Sequence, residues 1–290
     1  MSVVVHHRYA TVQGHRLFYR ESGSADLPTI VLLHGFPTSS FMFRNLIPQL
    51  EGYRVIAPDH LGFGLSDAPT VEEFDYSFDA LAELTQGLLE QLGVNRYALV
   101  VHDYGAPIGW RLAIGNPKSV VAVISQNGNG YDEGFVASGW QIIWDYQRDP
   151  SGRNEAALRK VFTLAAIRQQ YVTGVEDESL LSPDTWTLDH AYLSRPGNAE
   201  VQLKLFADYV TNPPLYPALH EWLRAEQVPV LATWGKYDPF FGPDGARAFA
   251  RDTENAEIHV MEGGHFLLES ACDEVAALIR EFLAENLPVT

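Results

Sequence analysis

One stretch constrains the fold of this chain more than any other. It reads Tyr97-Ala98-Leu99-Val100-Val101-His102-Asp103-Tyr104-Gly105 and continues through Ala106-Pro107-Ile108-Gly109-Trp110. β-Favouring residues run into a polar pair and a glycine, and helix-compatible residues follow. That order predicts a strand, a sharp turn and a helix. The side chain at the apex of such a turn is pushed clear of the backbone and stands above the sheet. Turns of this design usually carry serine at the apex, within Gly-x-Ser-x-Gly. Here the apex residue is Asp103.

The rest of the chain repeats the strand-then-helix theme. Residues 8–13 and 16–21 flank Gly14-His15 and predict a β-hairpin. Residues 29–33 form a nearly continuous apolar run of the kind buried on both sheet faces, ending in His34-Gly35-Phe36-Pro37. Thr38-Ser39-Ser40 can cap a helix running to about Leu50. A strand at 53–57 follows, then Gly62-x-Gly64-x-Ser66, whose glycines mark a tight turn rather than a nucleotide loop. Helical periodicity covers 75–92 and stops at Gly93. A further strand is expected at 120–125. From 126 to about 217 strand patterns vanish, and aromatics with short helical segments take over. Strands return at 228–234 and 257–261, with helices from Asp244 and from His265 to about Asn286. Alternation on both sides of the interruption predicts an α/β fold with a mostly parallel sheet. Residues 1–128 and 218–290 are the expected core, and 129–217 an inserted helical cap.

Composition limits what such a molecule does. With 290 residues, 46% of them hydrophobic, the chain can bury one large core. A formal net charge of −17 repels phosphate backbones and anionic lipid surfaces, so neither nucleic acid nor membrane is an expected partner. The one cysteine, Cys272, admits no intrachain disulfide and fits a reducing cytoplasm. Residues 1–9 lack the apolar run of a secretory signal, and no apolar stretch reaches the ~20 residues of a membrane span. The ten histidines show no metal-binding spacing, so no metal and no cofactor are expected.

In open parallel sheets, functional residues collect at the carboxyl ends of the strands. Four strand ends are suggestive: 34–37, His102-Asp103-Tyr104, Trp234-Gly235-Lys236-Tyr237-Asp238, and Gly263-Gly264-His265-Phe266. Leaving out the first, the chain order is nucleophile candidate, acid, histidine. On the His-Gly-Phe-Pro run at 34–37, the His-Asp-x-Gly run at 102–105, Asp238 and His265, the chain resembles the α/β-hydrolase superfamily. The resemblance is to its branch of epoxide hydrolases and haloalkane dehalogenases, which use an aspartate nucleophile. Phe43-Arg44-Asn45-Leu46-Ile47-Pro48 and Gly62-x-Gly64-x-Ser66 also look like that branch. The likeness covers both core halves, while the insertion matches only loosely. It implies an α/β-hydrolase fold, a mostly parallel sheet flanked by helices with an inserted helical cap.

The chemistry of the residues agrees with that likeness. A carboxylate with an ordinary pKa near ~4 is ionised at neutral pH and needs no base to become a nucleophile. Its attack on a carboxylic ester would yield an anhydride. Attack on an sp³ carbon bearing a leaving group yields an ordinary alkyl ester. His265 then activates water to hydrolyse that ester, oriented by Asp238. The backbone N–H groups of Phe36 and Tyr104 are expected to hold the carboxylate and the later oxyanion. Blander readings exist for each residue. Asp103 alone reads also as a helix N-cap, His265 as a core histidine, and Asp238 as a loop carboxylate with Asp132 and Glu133 as rival acids. His34 and His102 read as packing residues.

An epoxide is the substrate expected first, with haloalkane as the alternative and a non-catalytic ligand-binding protein as the reading from another class. Epoxide-opening relatives use cap tyrosines as acids, for which Tyr146 and Tyr209 are the candidates, although Gln141 and Lys204 fall nearest the family positions. Dehalogenating relatives hold halide with ring or amide N–H groups, for which Trp140 and Trp144 are available. Relatives that cleave fluoroacetate carry arginines just after the nucleophile, where this chain has Tyr104 and Pro107. The expected partner is a small apolar molecule, in a pocket walled by Phe36, Tyr104, Trp140, Trp144 and Phe266.

Overall fold

The computed structural model describes residues 3–289, so residues 1–2 and 290 of the expected core spans lie outside it. Eight strands form one sheet: β1 (His6–Val12), β2 (His15–Ser22), β3 (Thr29–Leu33), β4 (Arg54–Pro58), β5 (Tyr97–Val101), β6 (Val120–Gln126), β7 (Val230–Gly235) and β8 (Ala256–Met261). Their order is β1-β2-β4-β3-β5-β6-β7-β8. The hairpin β1–β2 adds to β4 antiparallel, and every pair from β4 to β8 is parallel. Every residue of β3, β4, β5 and β7 is buried, as expected where both faces of a sheet are covered.

Helices α1 (Phe78–Gln91) and α2 (Gly105–Gly115) follow β4 and β5, with α2 packed on β3, β5 and β6. After β7 come α9 (Pro243–Ala248), and after β8 α10 (Leu267–Ser270) and α11 (Cys272–Asn286), the last packed on β6 and β7. Between β6 and β7 stand six helices: α3 (Ala137–Arg148), α4 (Gly152–Leu158), α5 (Leu164–Val172), α6 (Pro183–Leu193), α7 (Asn198–Asp208) and α8 (Tyr216–Glu226). Among the described residues no strand lies within this insertion. The boundary expected at 217 falls inside α8. No helix among the described residues is long and apolar enough to cross a membrane.

Two sequence expectations need correction. The helix expected through Leu50 is two 3₁₀ turns, at Ser40–Phe43 and Ile47–Gln49. Ser39 does cap the first, but Pro48 has no N–H to give the Arg44 carbonyl, so an α-helical ladder cannot continue. The helix expected from His265 begins later and breaks at Ala271, leaving His265 on the loop before α10.

The strand order turns the sheet into a positioning device. From β3 the chain passes to β4 on one side, and β5 joins on the other, so β3/β5 is a switch point with a crevice beyond the strand ends. Leu33 pairs with Val101 in parallel register, so the loops at 34–37 and 102–105 leave the sheet side by side. The ends of β6, β7 and β8 open onto the same edge.

Candidate active site

Asp103 sits at the turn between β5 and α2 with φ of +46°, a left-handed conformation uncommon outside glycine, asparagine and aspartate. The turn aims its carboxyl back across the β3 loop. Phe36 N–H donates to Asp103 Oδ1 at 2.6 Å, and the Tyr104 N–H also bonds the carboxyl. The backbone comes this close because residue 35 is glycine: a Cβ there would lie 2.3 Å from Oδ1. The expected ordinary pKa does not hold. Burial pushes the carboxyl up to about 6, against the pull of His265 and of the two N–H groups. At neutral pH the group is still mainly ionised.

His265 faces this carboxylate from the loop after β8, its Nε2 4.0 Å from Asp103 Oδ2. That is beyond hydrogen-bond length. Its Nδ1 lies 2.7 Å from Asp238 Oδ2. An ionised carboxylate only accepts, so Nδ1 carries the proton and the Nε2 lone pair faces Asp103. Burial is the largest single influence and lowers the imidazole pKa, but the Asp238 charge, its hydrogen bond and the Asp103 charge together outweigh it, and the ring stands above its ordinary value.

Asp238 is held more firmly than a stray loop carboxylate. Its Oδ1 accepts from the Phe240 and Phe241 N–H groups at 2.7 and 3.1 Å, and its Oδ2 from Asn127 Nδ2 at 2.6 Å. Asn127, just past β6, was not anticipated from sequence. Its Oδ1 also accepts from Gly235 N–H at 3.0 Å, tying the ends of β6 and β7 together. The only signal for it was its place at a strand end. The rival acid Glu133 pairs with Arg251, away from His265. His34 and His102 are buried and bonded: His34 Nε2 accepts from His60 N–H, and His102 Nδ1 lies 3.0 Å from the Gln126 carbonyl. Burial and its neighbour His265 hold His102 well below the ordinary histidine value, so it is neutral.

Asp103 and His265 open onto a cavity of about 60 Å³ between sheet edge and insertion, lined also by Phe36, Tyr104, Trp140, Gln170 and Phe206. The volume holds a few water-sized groups rather than a large ligand. Phe36, Tyr104 and Trp140 are in the wall as expected. Trp144 and Phe266 are not among the lining residues. Trp144 packs behind Phe135 and Trp140, and Phe266 packs between His102 and Tyr171.

The four expected donors are placed variously. The Trp140 indole N–H donates to the Phe240 carbonyl at 3.0 Å and is occupied. Tyr146 is outside the wall, beside Glu155 and Arg159. Tyr209 is buried against Trp140 and Tyr104, at ring distances of 4.5 and 5.9 Å. Its phenol is held well above the ordinary range by burial, by Tyr216 and by the Asp103 charge. Gln141 bonds Asp145, and Lys204 pairs with Asp75. Gln170 was missed because a glutamine in a helical pattern carries no signal of its own.

Residues 28–271 match the family described as alpha/beta hydrolase fold. The chain is 40% identical over 285 residues to an uncharacterized hydrolase of Saccharomyces cerevisiae, covering 97% of each. It is 33% identical over 276 residues to a haloalkane dehalogenase of Mycobacterium marinum, covering 91% of this chain and 87% of that one. The solved structure of the epoxide hydrolase CorEH, without ligand, superposes with a TM-score of 0.79 at 25% identity, covering 97% of this chain and 99% of that one.

Proposed function

The chain belongs to the alpha/beta hydrolase fold family, and on that premise we propose that it hydrolyses small apolar substrates through Asp103. The observation that carries the proposal is the Asp103 carboxylate, bonded by the Phe36 N–H and facing His265 Nε2 across an apolar cavity. One carboxylate oxygen attacks an sp³ carbon. The carbon–leaving-group bond breaks, its electron pair goes with the leaving atom, and an alkyl ester of Asp103 forms. His265 Nε2 then takes a proton from water, and the hydroxide adds to the ester carbonyl carbon. Asp238 steadies the imidazolium, while the Phe36 and Tyr104 N–H groups hold the oxyanion. Collapse expels the alcohol oxygen, which takes the proton from His265, and leaves Asp103 as a carboxylic acid, which loses the added hydroxide's proton to solvent to restore the carboxylate.

Epoxides are the first substrate class. Their ring oxygen leaves as an alkoxide that needs a proton, and Tyr209 is the donor we propose: it stands behind the lining residues Trp140 and Tyr104, with ring centroids 4.5 and 5.9 Å from theirs. Helices α3 to α7 serve as the cap over the site. The haloalkane reading is favoured by two observations. One is the likeness to the M. marinum dehalogenase. The other is that Tyr104 is the one tyrosine among the described lining residues, with its hydroxyl buried and unpartnered. A cytoplasmic location is part of the proposal, carried by the single cysteine.

The test uses styrene oxide and 1-bromobutane. Diol without bromide supports the epoxide reading, and bromide release without diol supports the halide one. In the His265→Gln variant a substrate-sized mass gain on Asp103 is expected. No mass gain with either compound would leave only an idle, ligand-binding protein.

A further inference from the structure

One polar side chain in the cavity wall has no duty in the mechanism above. Gln170 on α5 is only 7% exposed and lines the same cavity as Asp103 and His265, and its side chain has no hydrogen-bond partner among the described residues. Its amide is not fully sealed within the protein, and the residue contributes to the cavity wall. The other wall groups differ. The Trp140 N–H is spent on Phe240, and the Tyr104 hydroxyl is shut away from the cavity. An open amide in an otherwise apolar chamber costs desolvation energy unless something in the chamber bonds it.

The position of Gln170 is braced against the histidine loop. The next residue, Tyr171, stacks flat on Phe266, with ring centroids 4.0 Å apart at 6°, and its hydroxyl donates to Asp189 Oδ2 at 2.5 Å. Phe266 directly follows His265. Two residues beyond Tyr171, the Thr173 carbonyl packs so close to Gly264 that a Cβ there would lie 1.9 Å away. The end of α5 is thus locked to the turn that carries His265, and residue 170 inherits a fixed place relative to it. Preorganisation of this kind is what a transition-state donor requires.

We infer that the Gln170 carboxamide is the leaving-group donor: its N–H grips the atom that departs from carbon as Asp103 attacks. This rests on the Asp103 reading. The shared ligand chemistry is a leaving atom gathering negative charge, an epoxide oxygen or a halide. An amide N–H donates a hydrogen bond but does not give up its proton. It therefore steadies the charge without replacing the acid that an alkoxide needs.

The experiment follows Asp103 alkylation by mass spectrometry in the His265→Gln background, with styrene oxide and with 1-bromobutane. Adding Gln170→Met should slow adduct formation about 10²-fold, the loss typical of one oxyanion donor. In the otherwise unaltered enzyme, Gln170→Met should leave hydrolysis of a preformed adduct unchanged. A merely structural role would disturb the His265 loop and slow both steps. Loss with one substrate only supports the inference and names the atom held. An undiminished alkylation rate overturns it while leaving the Asp103 reading intact. No adduct with Gln170 in place overturns both. Should Gln170→Met not fold, Gln170→Glu decides. Its carboxylate repels the departing charge, so an adduct rate equal to that with Gln170 again overturns the inference.

Discussion

Removing the Asp103 charge should stabilise the folded protein, and the gain should depend on pH. Burial lifts this carboxyl from 3.8 to about 6, so the folded state disfavours its ionised form. At about 1.36 kcal/mol per pH unit, that gap is worth about 3 kcal/mol above pH 6. The sign follows from linkage. Below 3.8 both folded and unfolded chains hold the proton and nothing is lost. Between 3.8 and about 6 the unfolded chain releases its proton while the folded one retains it, and the penalty grows. Above about 6 it is constant. Asp103→Asn removes it, keeps an oxygen for the Phe36 N–H, and suits the left-handed backbone. The new NH₂, in place of the Oδ2 that lies 4.0 Å from His265 Nε2, has no acceptor within hydrogen-bond length there, which costs about 1 kcal/mol. The net gain at pH 8 is about 2 kcal/mol, and it should shrink by about 1.4 kcal/mol at pH 5. Thermal melting at both pH values measures it, with a rise of about 3 °C expected at pH 8 for a chain of 290 residues. An Asn variant no more stable than the parent at pH 8, or a gain that ignores pH, would refute the reasoning. The same burial that destabilises the carboxylate readies it for attack, so activity should disappear as stability rises.

Other consequences follow from the same geometry. Gly35→Ala would put a Cβ 2.3 Å from Asp103 Oδ1 and 2.6 Å from Tyr104 N, and alkylation should fall more than about 10²-fold with little change in melting if the loop yields. Asn127→Leu removes the 2.6 Å bond to Asp238 and the 3.0 Å bond from Gly235 N–H, so ester hydrolysis should slow more than alkylation and adduct should accumulate. His265 acts as a base only when neutral, and its pKa lies above the ordinary 6.5, whereas Asp103 stays ionised down to about 6. As pH falls, hydrolysis should fail first, and mass spectrometry should show alkyl-enzyme building up before alkylation itself declines. Tyr209→Phe should depress diol formation at least about 10²-fold while sparing bromide release, as expected of a lost general acid. Equal losses on both substrates would remove Tyr209 from that role.

Much of the core could be read from local pattern. Apolar runs of five residues marked β3 and β5, and Gly93 marked the end of α1 with φ of +68°. One error arose where a residue overrode a pattern, Pro48 breaking an expected helix into 3₁₀ turns; the other helix breaks at Ala271, whose φ of −139° is non-helical, although alanine itself favours helix. The residues Asp103, Asp238 and His265 stood out because each follows a strand and a carboxyl-end position is where such a sheet gathers its chemistry. The wall of the cavity was harder. Possible donors look alike in a sequence, and only contacts separate Trp140, whose N–H is bonded to Phe240, from Gln170, whose side chain has no partner among the described residues.

Sequence by itself determined the alternation of elements and the aspartate at the apex of the β5 turn, because both depend on residues within a few positions of each other. Tertiary structure decided the pKa of that aspartate, the Asn127 brace and the placing of Gln170 in the cavity wall. Those depend on burial and on partners more than a hundred residues apart, such as Asn127 and Asp238, which only the closed sheet brings to hydrogen-bond distance.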